Sequence, residues 1–181
     1  MPTLFCIVEG YGERAAAPVL LRRLVPGLAV TKPWRVGAGK IFNRHWADLT
    51  PIFDAARLQG SDLVLLLLDT DCETRNCPKR VASALLAEMR AQARDLNLAM
   101  TLAECEFENW FIAAAESLRW RRPPKPEGIR DAKGWISKQM GVAYSPTLHQ
   151  ASFAAQMDLN ECKAYSRSFR HLCKALEALP Q

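Results

Sequence analysis

Between Asp62 and Asp69 the chain runs Leu63-Val64-Leu65-Leu66-Leu67-Leu68, with no polar residue in the run. A strand with one face in water alternates polar and apolar residues. This stretch therefore predicts a central parallel strand covered by helices on both faces. It ends in Asp69-Thr70-Asp71. Successive side chains of a strand point to opposite faces, so Asp69 and Asp71 share a face for as long as the extended conformation lasts. The carboxyl ends of parallel strands are where open α/β sheets bind ligands, and paired hard oxygens suit Mg²⁺ or Mn²⁺. Aspartates are also ordinary turn and cap residues, so the pair by itself leaves both readings open.

The rest of the chain repeats the theme. Thr3 to Val8 is a second strand pattern, and it stops at Glu9-Gly10-Tyr11-Gly12-Glu13. That sequence reads as a glycine turn into a helix from about Gly12 to Leu24, with Glu13 in the first turn, where the helix dipole favours a carboxylate. The two glycines permit a sharp turn and the close approach of a ligand. Leu28 to Val36 predicts a further strand, and Pro33 puts it at a sheet edge. Gly37-Ala38-Gly39-Lys40 is not a phosphate loop, because Ile41 stands where the magnesium-holding hydroxyl belongs. Helices are expected over 46–58 and 79–95, and another strand over 98–105. This last strand leads into Glu104, Glu106 and Glu108, spaced by two, and then into an aromatic helix start whose Phe107, Trp110, Phe111 and Ala114 have core spacing. Strand and helix in alternation predict an α/β fold of Rossmann type, a mostly parallel sheet flanked by helices.

After residue 118 the composition changes. Between Arg119 and Lys138 seven basic residues face two acids, and the local surplus of five equals that of the whole 181-residue chain. Arg121, Arg122 and Lys125 lie in a proline-rich loop, and helical patterns follow to the end, the last carrying Arg167 and Arg170. The chain thus divides into an α/β core, 1–118, and a basic loop with a helical extension packed on it, 119–181. A modest basic surplus permits nucleic-acid binding. The six cysteines are scattered and read as reduced thiols of a cytoplasmic protein; Cys72 and Cys77 lack the second pair a zinc site needs. The sequence shows neither a signal-peptide pattern nor an apolar run of membrane-spanning length, so no membrane association is expected. His45, His149 and His171 stand in polar contexts and suggest no nucleophilic chemistry.

Acids therefore stand at three strand ends: Glu9 with Glu13, Asp69 with Asp71, and the 104–108 group. Neighbouring strands would bring like charges together, a conflict that a divalent cation resolves. Glu9-Gly10 after one strand and Asp69-Thr70-Asp71 after the next resemble the Toprim signature of topoisomerases, primases and overcoming-lysogenization-defect (OLD) nucleases. Val8-Glu9-Gly10-x-Gly12-Glu13 is similar to the OLD-type variant. Further along, Glu106-Phe107-Glu108-Asn109-Trp110, Asp131-Ala132-Lys133, Tyr144 with His149-Gln150, and Arg167-Ser168-Phe169 with Leu172 resemble a bacterial Toprim-like family known as domain of unknown function 4276.

The resemblance implies a metal-dependent nuclease, hydrolysing DNA or RNA with one or two Mg²⁺ or Mn²⁺ ions. Glu9 would be a metal ligand or general acid/base, Asp69 and Asp71 metal ligands, and Glu13 an auxiliary ligand. Glu73 competes with Glu106 for the third Toprim acid, and Glu106 or Glu108 could hold a second ion. Lys133 would neutralise the scissile phosphate, and with Arg121, Arg122, Lys125, Arg167 and Arg170 it forms the expected nucleic-acid contact set. The resemblance further implies an ATPase partner in a phage-defence module. The alternative is a non-catalytic module that binds such an ATPase or associates with a second copy of itself.

Overall fold

The computed structural model describes residues 1–70 and 78–180. Strands β1 (Thr3–Val8), β4 (Leu63–Asp69) and β5 (Leu98–Ala103) form the body of a parallel sheet, with β1 beside β4 and β4 beside β5. Two short strands, β2 (Ala29–Val30) and β3 (Trp34–Arg35), both pair with β1. They are the two halves of the strand expected over 28–36. The break contains Pro33, which has no N–H to give a ladder, and the pieces lie at the edge as its presence requires.

The helices are α1 (Glu13–Leu24), α2 (Ala38–Phe42), α3 (Thr50–Leu58), α4 (Pro78–Gln92), α5 (Asn109–Ala113), α6 (Ala132–Met140), α7 (Pro146–Gln156), α8 (Leu159–Tyr165) and α9 (Arg167–Leu176). Alternation along the strands divides the core in two. Leu4, Cys6, Val8, Leu63, Leu65 and Leu67 face a cluster built with α1, α5 and the helices after residue 131. Phe5, Ile7, Val64, Leu66 and Leu68 face a second cluster with α2, α3 and α4. Both faces of β4 are covered, which is why its sequence carries no polar position. Each such side chain stabilises the fold by about 1.5–3 kcal/mol when fully buried.

The helical extension is therefore part of one core. Ile136, Ala154, Met157, Cys162, Phe169 and Leu172 pack in the same cluster as the strands. Cys6, Cys162 and Cys173 are free thiols as expected, whereas Cys105 is disulfide-bonded, against the expectation of reduced thiols throughout. Among the described residues no helix is long and apolar enough to cross a membrane.

Candidate active site

The turn after β1 folds back on itself. Glu13 opens α1, and its Oε2 accepts the backbone N–H groups of Glu9 at 3.0 Å and Gly10 at 2.9 Å. Gly10 makes this possible, since a Cβ there would lie 2.6 Å from Glu13 Oε1. Gly12 admits α7: a Cβ at Gly12 would collide with Gln150 Oε1 and lie 2.7 Å from Pro146 Cβ. The sequence suggested that these glycines open a path for a ligand. The close approach they permit here is that of Glu13 and of α7. Glu9 Oε1 accepts the N–H of Ala38, the first residue of α2, at 3.4 Å.

The other acids come from β4 and from the turn after β5. Asp69 ends β4 opposite Ala103 and is buried. Thr70 then pins the neighbouring chain: its N–H reaches the carbonyls of Ala103 (3.2 Å) and Cys105 (3.1 Å), and its Oγ1 accepts the Cys105 N–H at 3.0 Å. Cys105 has φ +64°, a left-handed conformation that costs a non-glycine residue about 1–2 kcal/mol. The Thr70 bonds offset that cost. This turn breaks the alternation on which one face for Glu104, Glu106 and Glu108 depended. Glu104 feels Glu127 and Arg167, while Glu106 and Glu108 meet Lys133.

Asn109, fully buried, fixes the turn: its Oδ1 accepts the Glu106 N–H at 3.0 Å, and its Nδ2 donates to the carbonyls of Pro126 and Ile129, both at 2.9 Å. Asp131 caps α6 through the Gly134 N–H, placing Lys133 in the first turn of that helix. Lys133 Nζ lies 2.9 Å from Glu106 Oε1 and 3.9 Å from Glu108 Oε2. Glu108 Oε1 accepts the Tyr144 hydroxyl at 3.1 Å and Gln150 Nε2 at 3.4 Å.

These groups form one electrostatic unit. Burial raises the Asp69 carboxyl well above its ordinary range; Glu13, Glu108 and Glu9 add repulsion, and Lys133 opposes them. Burial also raises Glu13, against the two N–H groups that favour its charge and with Glu9 repelling it. Glu108 is pushed up to about 7 by burial, despite Lys133. Burial and then Glu108 raise the Tyr144 phenol, which stays a proton donor. Burial opposes the Lys133 charge, but Glu108 and Glu106 outweigh it and hold the ammonium above its ordinary value.

The structure thus brings Glu9, Glu13, Asp69, Glu106, Glu108 and Lys133 together, while Asp71 and Glu73 lie outside the described residues. Among the described residues no three His, Cys, Asp or Glu side chains stand in a geometry that could hold a metal ion. The donor set has the chemistry of a hard-cation site all the same. It offers several carboxylates against one ammonium, and two buried acceptor oxygens, Glu106 Oε2 and Gln150 Oε1, have no donor among the described residues.

The expected nucleic-acid contacts are mostly elsewhere. Arg122 is 10% exposed, pairs with Glu161 and with Glu116 at 3.0 Å, and lies 3.4 Å over the Tyr165 ring, so its guanidinium serves the fold. Arg170 donates to the carbonyls of Lys163 and Ala164. Arg167 lines a cavity beside β5, and Arg121 and Lys125 are exposed in their loop. Tyr144 and Gln150 are site residues that charge and spacing did not assign. Their signal was their place in the resemblance pattern. His149 accepts the Ser145 N–H at 2.9 Å and stacks on Tyr144 and Phe153, a structural role.

A family model described as a domain of unknown function (DUF4276) matches residues 8–177. No curated protein and no solved structure matches the chain.

Proposed function

For a chain that belongs to this family, we propose a Toprim-like, divalent-cation-dependent phosphodiesterase acting on DNA or RNA. The observation that carries this reading is the buried Asp69 carboxyl, repelled by Glu13, Glu108 and Glu9 at adjoining strand ends. For stability alone an amide or an apolar residue would serve better at this position. A counter-charge arriving with a ligand would relieve this repulsion.

Glu9, Glu13 and Asp69, with Asp71 and Glu73 beyond the described residues, would hold the ion. Bound Mg²⁺ or Mn²⁺ supplies charge neutralisation at phosphate oxygens and lowers the pKa of water. The chain's own groups do the rest. Glu108, with its pKa about 7, exchanges a proton near neutral pH, and Tyr144 and Gln150 fix its Oε1 while it does so. Lys133 presents a cation beside Glu106 and Glu108 to a phosphate. Arg121 and Lys125 steer the polyanion.

The competing reading, a non-catalytic module for an ATPase or a second copy, draws on Glu13 and Glu106 being engaged by protein groups. Titration calorimetry with Mn²⁺ and a cleavage assay on DNA and RNA separate the two. The wild type should bind and cleave. Asp69→Asn should weaken Mn²⁺ binding by at least about tenfold, and Glu9→Gln should abolish cleavage, both with native melting curves. Unchanged Mn²⁺ binding in Asp69→Asn, or a wild type that cleaves neither polymer, sinks the proposal.

A further inference from the structure

β5 ends the strand order β2-β1-β4-β5, and α4 and α9 pack against it. Beside it, between the two helices, is a cavity of about 300 Å³. Its apolar lining is Leu86 of α4 with Met100 and Leu102 of β5. Its other wall is α9, which contributes Arg167, His171 and Lys174. Spacings of four and three residues put these three on one helix face.

Among the described lining residues Glu104 is the acid, and burial with Glu127 holds its carboxyl above the ordinary range against Arg167. Among the described lining residues, the cations Arg167 and Lys174 outnumber that acid. Thr101 also lines the cavity; it is 1% exposed, and its Oγ1 has no hydrogen-bond partner among the described residues. Leaving a buried hydroxyl unmet is destabilising. A cavity with an apolar floor, cations on one side and an unmet hydroxyl has the makings of a ligand site. At this volume it suits a small molecule rather than a length of extended peptide.

We propose that this cavity binds a small amphipathic anion: an apolar body carrying one carboxylate or phosphate. The body lies on Leu86, Met100 and Leu102. The head meets Lys174, and a polar atom of the ligand reaches Thr101. This site stands apart from the acid cluster, whose cation-seeking chemistry is the opposite of its own.

The test is an NMR shift titration of the full chain with four probes: hexanoate, hexyl phosphate, hexanol and inorganic phosphate. At least one of the two anionic amphiphiles should saturate a single site that shifts the amides of β5 and α9. The tighter of them identifies the head group. Hexanol and inorganic phosphate should bind at least about tenfold more weakly, since each lacks one of the two contacts. Lys174→Gln, an exposed position, should weaken the anion about five- to tenfold without moving the melting temperature. Ala82→Leu, which fills the cavity, should abolish binding. Equal binding of hexanol and the anions, no saturable shift with any probe, or wild-type affinity in Lys174→Gln would overturn the assignment.

Discussion

The strand-end acids and the basic stretch after residue 118 carry opposite charges, and the fold treats them in opposite ways. Arg122 is given two carboxylates and an aromatic face, so its charge is spent inside the protein. Asp69, Glu13 and Glu108 crowd each other with Lys133 as their shared cation. A count of charges along the chain points to the basic stretch as the functional surface. The three-dimensional arrangement moves the weight to the acids, because what a partner meets is the charge that the protein has not already balanced.

Three changes test that contrast. The largest effect should come from Arg122→Ala. It leaves the largely buried Glu161 carboxylate with only the backbone N–H groups of Glu116 and Ser117 and should lower stability by about 3 kcal/mol, or roughly 6–12 °C in melting temperature. A calorimetric melt within about 2 °C of wild type would make Arg122 an ordinary surface charge.

Next is the pH profile of the acids in the presence of a chelator. Glu108 sits at about 7 in the folded chain against an ordinary 4.5. Between those values the folded chain keeps a proton that the unfolded chain has released. Its contribution is complete below 4.5 and is lost as pH rises through about 7, amounting to about 3 kcal/mol. Urea midpoints should therefore fall from acid to alkaline pH, and Glu108→Gln should flatten the slope. A wild-type midpoint that climbs over this window would show the acids to be balanced after all.

The smallest effect belongs to Arg121→Ala with Lys125→Ala. Both side chains are exposed, so stability should change by less than about 0.5 kcal/mol. Nucleic-acid affinity should fall, and its salt slope should drop by about one per removed contact. A salt slope equal to wild type would remove this loop from the interface.

The parallel sheet was legible because its signals are local. The unbroken run of β4, the edge proline of the 28–36 strand and the core spacing of Phe107, Trp110 and Phe111 each fix an environment within a few residues. The acids at the ends of β1 and β4 were legible for the same reason. The partition of Glu104 from Glu106 and Glu108 was not, because it depends on the left-handed Cys105 and on Thr70, a residue 35 positions earlier that holds it. Nor could local spacing attach Tyr144 and Gln150 to Glu108, from which they are separated by 36 and 42 positions. Those contacts exist because Gly12 lets α7 lie close to the start of α1.

Trp110 is fully buried; its indole N–H donates to Ser168 Oγ at 2.8 Å, and its carbonyl receives the Cys162 thiol at 3.4 Å. During synthesis every strand leaves the ribosome before the helices that supply these partners. Until α8 and α9 emerge, the aromatic side of α5 has nothing to cover it, and the nascent chain presents a sticky surface to its surroundings. Closing this side of the core therefore waits on α8 and α9, which carry Cys162 and Ser168.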